Sequence, residues 1–256
     1  MLSRRSLSAP LVALAALFTG ACARHDEPAR LSIAAASDLQ FALADAAGRF
    51  HQAHPRIEAQ VNYGSSGNFY AQIRNGAPFD LFLSADVQYP RDLAKQGLAR
   101  ADSVFVYAVG RLAVWVPAAS PLDPATALRD PSLRRVAIAN PAHAPYGRAA
   151  EAALRQMGLY ESVEKKLVLG ENISQTLQFV QSGAADVGLV ALSLAIAPTV
   201  RGQGRYWEVP LDAYPRMEQG GAILKDSAAA HEFRTWLLAP AGRSLLKQYG
   251  FYLPGE

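Results

Sequence analysis

Four times in this chain an apolar strand runs into a corner of small polar residues and out again into an amphipathic helix. Leu31–Ala36 leads into Ser37-Asp38 and then the stripe Leu39, Leu43, Ala46 and Phe50. Ile57–Tyr63 leads into Gly64-Ser65-Ser66-Gly67 and the helix of Phe69 and Ile73. Val136–Ala139 leads through Asn140–Tyr146 and Gly147 into the face of Ala150, Ala153, Leu154 and Met157. Leu167–Leu169 leads through Gly170-Glu171-Asn172 into Ile173, Leu177 and Val180. Strands alternating with helices at this interval build an α/β protein whose ligand crevice lies at the strand C-termini.

Each corner leaves backbone N–H groups unpaired at a helix N-terminus, with the positive end of the helix dipole behind them. Such an end binds anions. Taken alone, Gly64–Gly67 is also compatible with an ordinary Ser cap after a tight turn. Four corners together, at Ser37-Asp38, Ser65-Ser66, Tyr146-Gly147 and Asn172-Ile173-Ser174, would enclose a small anion with dipoles and hydroxyls and without Arg or Lys. No Lys follows the Gly-Ser loop, so it is not a nucleotide phosphate loop. Nor does its spacing make a nucleophile elbow.

The remaining chain supplies the frame. Leu81–Leu83 reads as a short central strand, and a helix from about Pro90 to Gln96 stops at Gly97. Val104–Val116, interrupted by Gly110, reads as two strand segments, the second passing into another lobe. Ala185–Val190 closes the second sheet, Arg205–Tyr214 returns the chain, and Gly221–Leu224 forms a late strand. Trp115, Trp207 and Trp236 read as core, and His51, His54 and His143 as spectators that complete no metal site.

At 256 residues there is room for one large or two medium domains. Residues 1–22 read as a secretory leader: Arg4 and Arg5 precede an apolar run from Ala9 to Phe18 that is too short to span a bilayer. Cys22, the only cysteine, either carries a lipid anchor after leader removal or is lost by cleavage after Ala23, and 23–30 is a polar tether. Arg4 and Arg5 account for two of the three net formal positive charges. With no Lys/Arg cluster interleaved with aromatics, nucleic acid is not an expected partner.

The runs AAASDLQFAL (Ala34–Leu43), GSSGNFYAQIRNGAPFDLFLSAD (Gly64–Asp86), NPAHAPYG (Asn140–Gly147) and SGAADVGLVAL (Ser182–Leu192) resemble the periplasmic molybdate-binding proteins of ABC transporters. The resemblance extends over nearly all of Leu31–Pro254. It implies a type II two-lobed periplasmic binding protein, each lobe a mostly parallel sheet flanked by helices and joined by two crossover segments. One lobe would comprise 31–112 plus 210–256, the other 113–209. It implies a monomeric, exported, non-enzymatic protein that closes on molybdate or tungstate, uses no cofactor and makes no direct protein–metal bond. An ABC permease would be its partner, and the membrane would be touched only through a lipid at Cys22.

Carried over by residue, the resemblance places oxyanion ligands at Ser37, Asp38, Ser66, Tyr146 and the Ile173 N–H, with Ser65 and Asn172 as additional candidates. Ala191 stands where another branch has a Tyr, which favours Tyr146. Asp38 departs from an Asn in the nearest branch. A carboxylate facing a dianion would repel it, so the Asp38 side chain is expected to cap its own helix; facing the ligand, it could take a proton from phosphate. Sulfate or phosphate is the alternative ligand, since a donor-only site separates molybdate from sulfate by size alone. An exported hydrolase using Ser66 or Ser37 is the alternative class, though no His/Asp pair is placed in sequence to activate either.

Overall fold

The computed structural model describes residues 28–256; the leader, Cys22 and most of the tether lie outside the described residues. Ten strands are described: β1 Ala29–Ala36, β2 Ile57–Gly64, β3 Leu81–Ser84, β4 Phe105–Gly110, β5 Leu112–Pro117, β6 Val136–Ala139, β7 Leu167–Gly170, β8 Val187–Ala191, β9 Gly204–Glu208 and β10 Met217–Ile223. The helices are α1 Gln40–Ala53, α2 Ser66–Arg74, α3 Gln88–Lys95, α4 Pro145–Gln156, α5 Tyr160–Val163, α6 Ile173–Gln181, α7 Leu192–Ala195, α8 Ala228–Leu238 and α9 Pro240–Gln248.

The strands form two five-stranded sheets, β2-β1-β3-β10-β4 and β7-β6-β8-β5-β9. Each is mixed in the way expected of a mostly parallel sheet, with four strands running one way and one against them. β1 pairs in parallel with β2 and β3, and β6 with β7 and β8. β10 runs against both neighbours in the first sheet, and β5 against both of its own. Those two strands are the ones that arrive from the other sheet. β4 hands over to β5 across Arg111, and β9 to β10 across residues 209–216. The return segment expected over Arg205–Tyr214 is thus half strand, because β9 pairs with β5 before the chain leaves.

Alternation along β1 explains why the first sheet is covered on both faces. Leu31, Ile33 and Ala35 pack with Leu43, Phe50, Phe233 and Leu245, while Ala34 packs on the opposite face with Phe69, Ile73 and Phe82. A strand buried on both sides reads as one apolar run, which is what Leu31–Ala36 shows. Trp115 is buried in the second sheet's core; Trp207 is only half-buried at that core's margin, and Trp236 is half-buried against the first sheet's core.

Register places the corners. Ala36 stands opposite Gly64 and Ala35 opposite Leu83, so β1, β2 and β3 release the chain at one edge. In the second sheet Ala139 stands opposite Gly170, which aligns the starts of α4 and α6 in the same way.

Candidate functional site

Ser37, Asp38, Ser65, Ser66, Tyr146 and Ile173 all line one small cavity between the sheets, with Ala36, Gly64, Ala85, Ala144 and Pro145 completing its wall. Its volume is about 10 Å³, on the order of what the centre of one water molecule requires. No Lys or Arg is in the wall.

Each donor has a local reason to be there. Ser66 opens α2, and its Oγ accepts the Ala85 N–H at 3.0 Å, so its own O–H proton is available to the cavity. Ile173 opens α6 behind Asn172, whose side chain accepts the Gln175 N–H. The first N–H groups of a helix have no intrahelical acceptor, so Ile173 contributes its main chain. Pro145 starts α4 and sets Tyr146 at its first turn, where the phenol is 2% exposed. Gly147 is needed beside it: a Cβ would stand 2.2 Å from the Ala139 carbonyl oxygen.

Two additional candidates are otherwise engaged. The Ser65 hydroxyl donates to the His143 carbonyl at 2.7 Å, across to the second lobe. Asn172 serves as the α6 cap and is absent from the cavity wall.

Asp38 departs from its expected role. Its carboxylate does not cap α1: Oδ2 accepts the Gln219 Nε2–H at 2.5 Å, and Oδ1 is buried without a partner. Burial pushes its pKa up from 3.8 to about 6, against the weaker opposing effect of hydrogen bonds from Gln219 and Tyr146. The Tyr146 and Tyr107 hydroxyls beside it are held well above the usual phenol range, first by burial and then by the Asp38 charge.

Gln219 is the residue that sequence reasoning missed. It is fully buried on β10, where the ladder with β4 slips between Gln219 and Gly220. A bulge of this kind re-aims a side chain. Its Nε2 also reaches the Tyr146 hydroxyl at 3.3 Å, and Tyr107 donates to its Oε1 at 3.1 Å. A polar residue directly ahead of the run from Gly220 to Ile223 was the available signal. Gly110 leaves room for this cluster, since a Cβ there would lie 2.6 Å from the Tyr146 hydroxyl.

Around the cavity the lobes are latched. Gly67 N–H donates to the His143 carbonyl at 2.9 Å, Ser174 Oγ to the Ser37 carbonyl at 2.9 Å, and Ser193 Oγ to the Asp38 carbonyl at 2.7 Å. Arg148 pairs with Asp86 at 2.8 Å. His143 therefore belongs to this latch, not to the set of spectators. Its Nδ1 lies 3.0 Å from Ser65 Oγ. Because that hydroxyl already gives its proton to a carbonyl, the ring nitrogen is placed as a donor to Oγ, the reverse of a base activating a nucleophile.

Comparison with known proteins agrees with this architecture. The family model for bacterial extracellular solute-binding proteins matches residues 31–252. The molybdate-binding protein ModA of Azotobacter vinelandii is 38% identical, over 97% of this chain and 98% of that protein. That of Rhodobacter capsulatus is 40% identical, over 74% of this chain and 75% of that protein.

The chain belongs to the molybdate-binding family of bacterial extracellular solute-binding proteins.

The solved periplasmic molybdate-binding protein of A. vinelandii superposes on this binding protein with a TM-score of 0.82 at 33% identity, covering 88% of this chain and 99% of that one. The sulfate-binding protein SubI of Mycobacterium tuberculosis shares the fold, with a TM-score of 0.71 at 16% identity. Membership in an extracellular solute-binding family places this binding protein outside the cytoplasmic membrane.

Proposed function

We propose that this protein captures molybdate or tungstate between its lobes and delivers it, chemically unchanged, to an ABC permease. The observation that carries the reading is the shared cavity of Ser37, Ser66, Tyr146 and Ile173: hydroxyls and helix-start N–H groups converge there with no cation in the wall. A wall in which donors predominate suits a fully deprotonated tetrahedral dianion, and an anion that keeps a proton needs an acceptor. The named relatives support molybdate as the ligand.

The lobes follow the boundaries read from the sequence, 31–112 with 210–256 and 113–209, except that Leu112 opens β5 and goes with the second lobe. They pivot at Arg111 and at the 209–216 segment. Closure brings Gly67 against His143 and Arg148 against Asp86, giving the permease a single closed surface to recognise. The protein works as a monomer, held at the membrane through Cys22 where the leader is processed as a lipoprotein. Phosphate is the second reading, and Asp38 is what favours it, as the one acceptor in an otherwise donating cavity.

Thermal unfolding of the ligand-stripped protein with each of molybdate, tungstate, sulfate and phosphate tests this. A ligand bound only by the native state adds about 2.7 kcal/mol at a hundredfold excess over Kd. A large rise in Tm with molybdate and tungstate and little with sulfate is expected. A rise with phosphate alone would replace the ligand and keep the oxyanion-binding role.

A further inference from the structure

Asp38 is the only carboxylate in the cavity wall, and its surroundings answer its charge with hydrogen bonds but with no cation. Oδ2 receives the Gln219 amide, while Oδ1 is buried with no protein partner. The elements packed around it bring hydroxyls and an amide: Tyr146 from α4, Tyr107 from β4 and Gln219 from β10. Ser193 from α7 binds the Asp38 main chain, and Ser174 from α6 binds that of Ser37. No lysine, arginine or histidine side chain is among the groups acting on the carboxyl.

A dianion brought against this carboxylate would put two negative groups in one water-poor site with no cation in its wall. Like-charged groups sharing a buried site do not both stay ionised; one takes a proton. The carboxyl is the group prepared for it. Its second oxygen is unoccupied by the protein, and the first stays bonded to Gln219 whether or not the proton arrives.

We propose that the cavity binds its oxyanion together with one proton, carried on Asp38 Oδ1 and donated to an oxygen of the anion. The inference rests on the oxyanion reading above. The proton comes from solvent, and no covalent bond other than O–H is made or broken. Protonated, Asp38 becomes a further donor in the wall, so the residue that would repel the ligand helps to hold it. An oxyanion that arrives with its own proton meets the ionised carboxylate as an acceptor and needs no proton from solvent. Asp38 thereby sets which protonation state of ligand binds with proton uptake. Burial, which already holds the carboxyl at about 6, brings it within reach of protonation at neutral pH once a dianion adds its field.

Titration calorimetry with molybdate at about pH 7.5, in two buffers of different ionisation enthalpy, counts the protons directly. Close to one proton taken up per anion is expected for the native protein, with affinity falling about tenfold for each pH unit above neutrality. In Asp38→Asn the amide NH2 supplies the missing donor, and binding without proton uptake and with a flat pH profile is expected. Molybdate binding by the native protein with no proton uptake overturns the proposal, as does Asp38→Asn binding with the native pH slope. The native measurement needs no substitution, so it decides even if the variant folds poorly. Failure of molybdate, tungstate, sulfate and phosphate alike to bind would instead remove the oxyanion reading, and the proton coupling with it.

Discussion

Gln219 Nε2 lies 2.5 Å from Asp38 Oδ2 and 3.3 Å from the Tyr146 hydroxyl, so one amide on β10 holds both a corner of the first lobe and a helix of the second. Gln219 and Tyr146 both hydrogen-bond the carboxyl, and burial still dominates: the Asp38 pKa stands at about 6 instead of 3.8. The native state therefore binds more protons than the unfolded chain between those values, and the carboxylate's penalty is absent below the lower one and complete above the upper one.

Asp38→Asn removes that penalty. The rise from 3.8 to about 6 corresponds to roughly 3 kcal/mol. In urea unfolding without ligand, the variant is expected to exceed the native protein by up to this amount at about pH 7.5. The advantage should shrink below about pH 6 and vanish below about pH 4. Equal stability at neutral pH would show that the buried carboxylate is compensated after all.

Ser66→Ala deletes a hydroxyl whose proton is free for the anion. A hydrogen bond to a charged group contributes roughly 1.5–3 kcal/mol, so molybdate affinity is expected to fall about tenfold to a hundredfold. The Ala85 N–H loses its acceptor as well, at about 1–3 kcal/mol of stability. Unchanged affinity by calorimetry removes Ser66 from the binding set.

At Gly110 an added methyl would stand 2.6 Å from the Tyr146 hydroxyl and 2.7 Å from Gln219 Nε2. Both are side-chain ends that can give way, so Gly110→Ala is expected to fold with a loss of about 1–3 kcal/mol. Affinity should fall by at least about tenfold, because the displaced phenol and amide no longer hold the Asp38 corner of the cavity in place. A variant that binds as tightly as the native protein would mean that the Tyr146 position is not needed.

Arg148 and Asp86 join the lobes through an ion pair that solvent reaches, the side chains being 41% and 30% exposed. Exposed pairs contribute about 0.2–1 kcal/mol. Arg148→Ala is expected to weaken binding by no more than about fivefold in low salt. The difference should disappear near 1 M salt, where screening acts within about 3 Å. A larger loss that survives salt would show that Arg148 shapes the cavity itself.

The corners were legible because their signal is local. A strand, a small polar pair and a helical stripe sit within about ten residues, and parallel register then aligns neighbouring strand ends, as Ala36 with Gly64 and Ala139 with Gly170. Gln219 was not legible, since its meaning lies in a contact with a residue 181 positions away. The role of His143 was hidden for another reason: its main-chain carbonyl makes the bridge, and any residue type carries one. The side chain of Asp38 was misjudged because local capping rules consider only the adjoining helix, while a tertiary partner on β10 took the carboxylate. β5 and β10 run against their sheets because each enters from the other lobe, which strand periodicity does not encode.

The Gly67 N–H bond to the His143 carbonyl is main chain to main chain, between lobes, at a glycine whose Cβ would come within 2.5 Å of that oxygen. Substituting the side chain of His143 leaves both atoms in place. That amide hydrogen is consequently a clock for the hinge: it is shielded while the jaws are shut and meets solvent deuterium only when they part, so its exchange rate times each opening of the protein.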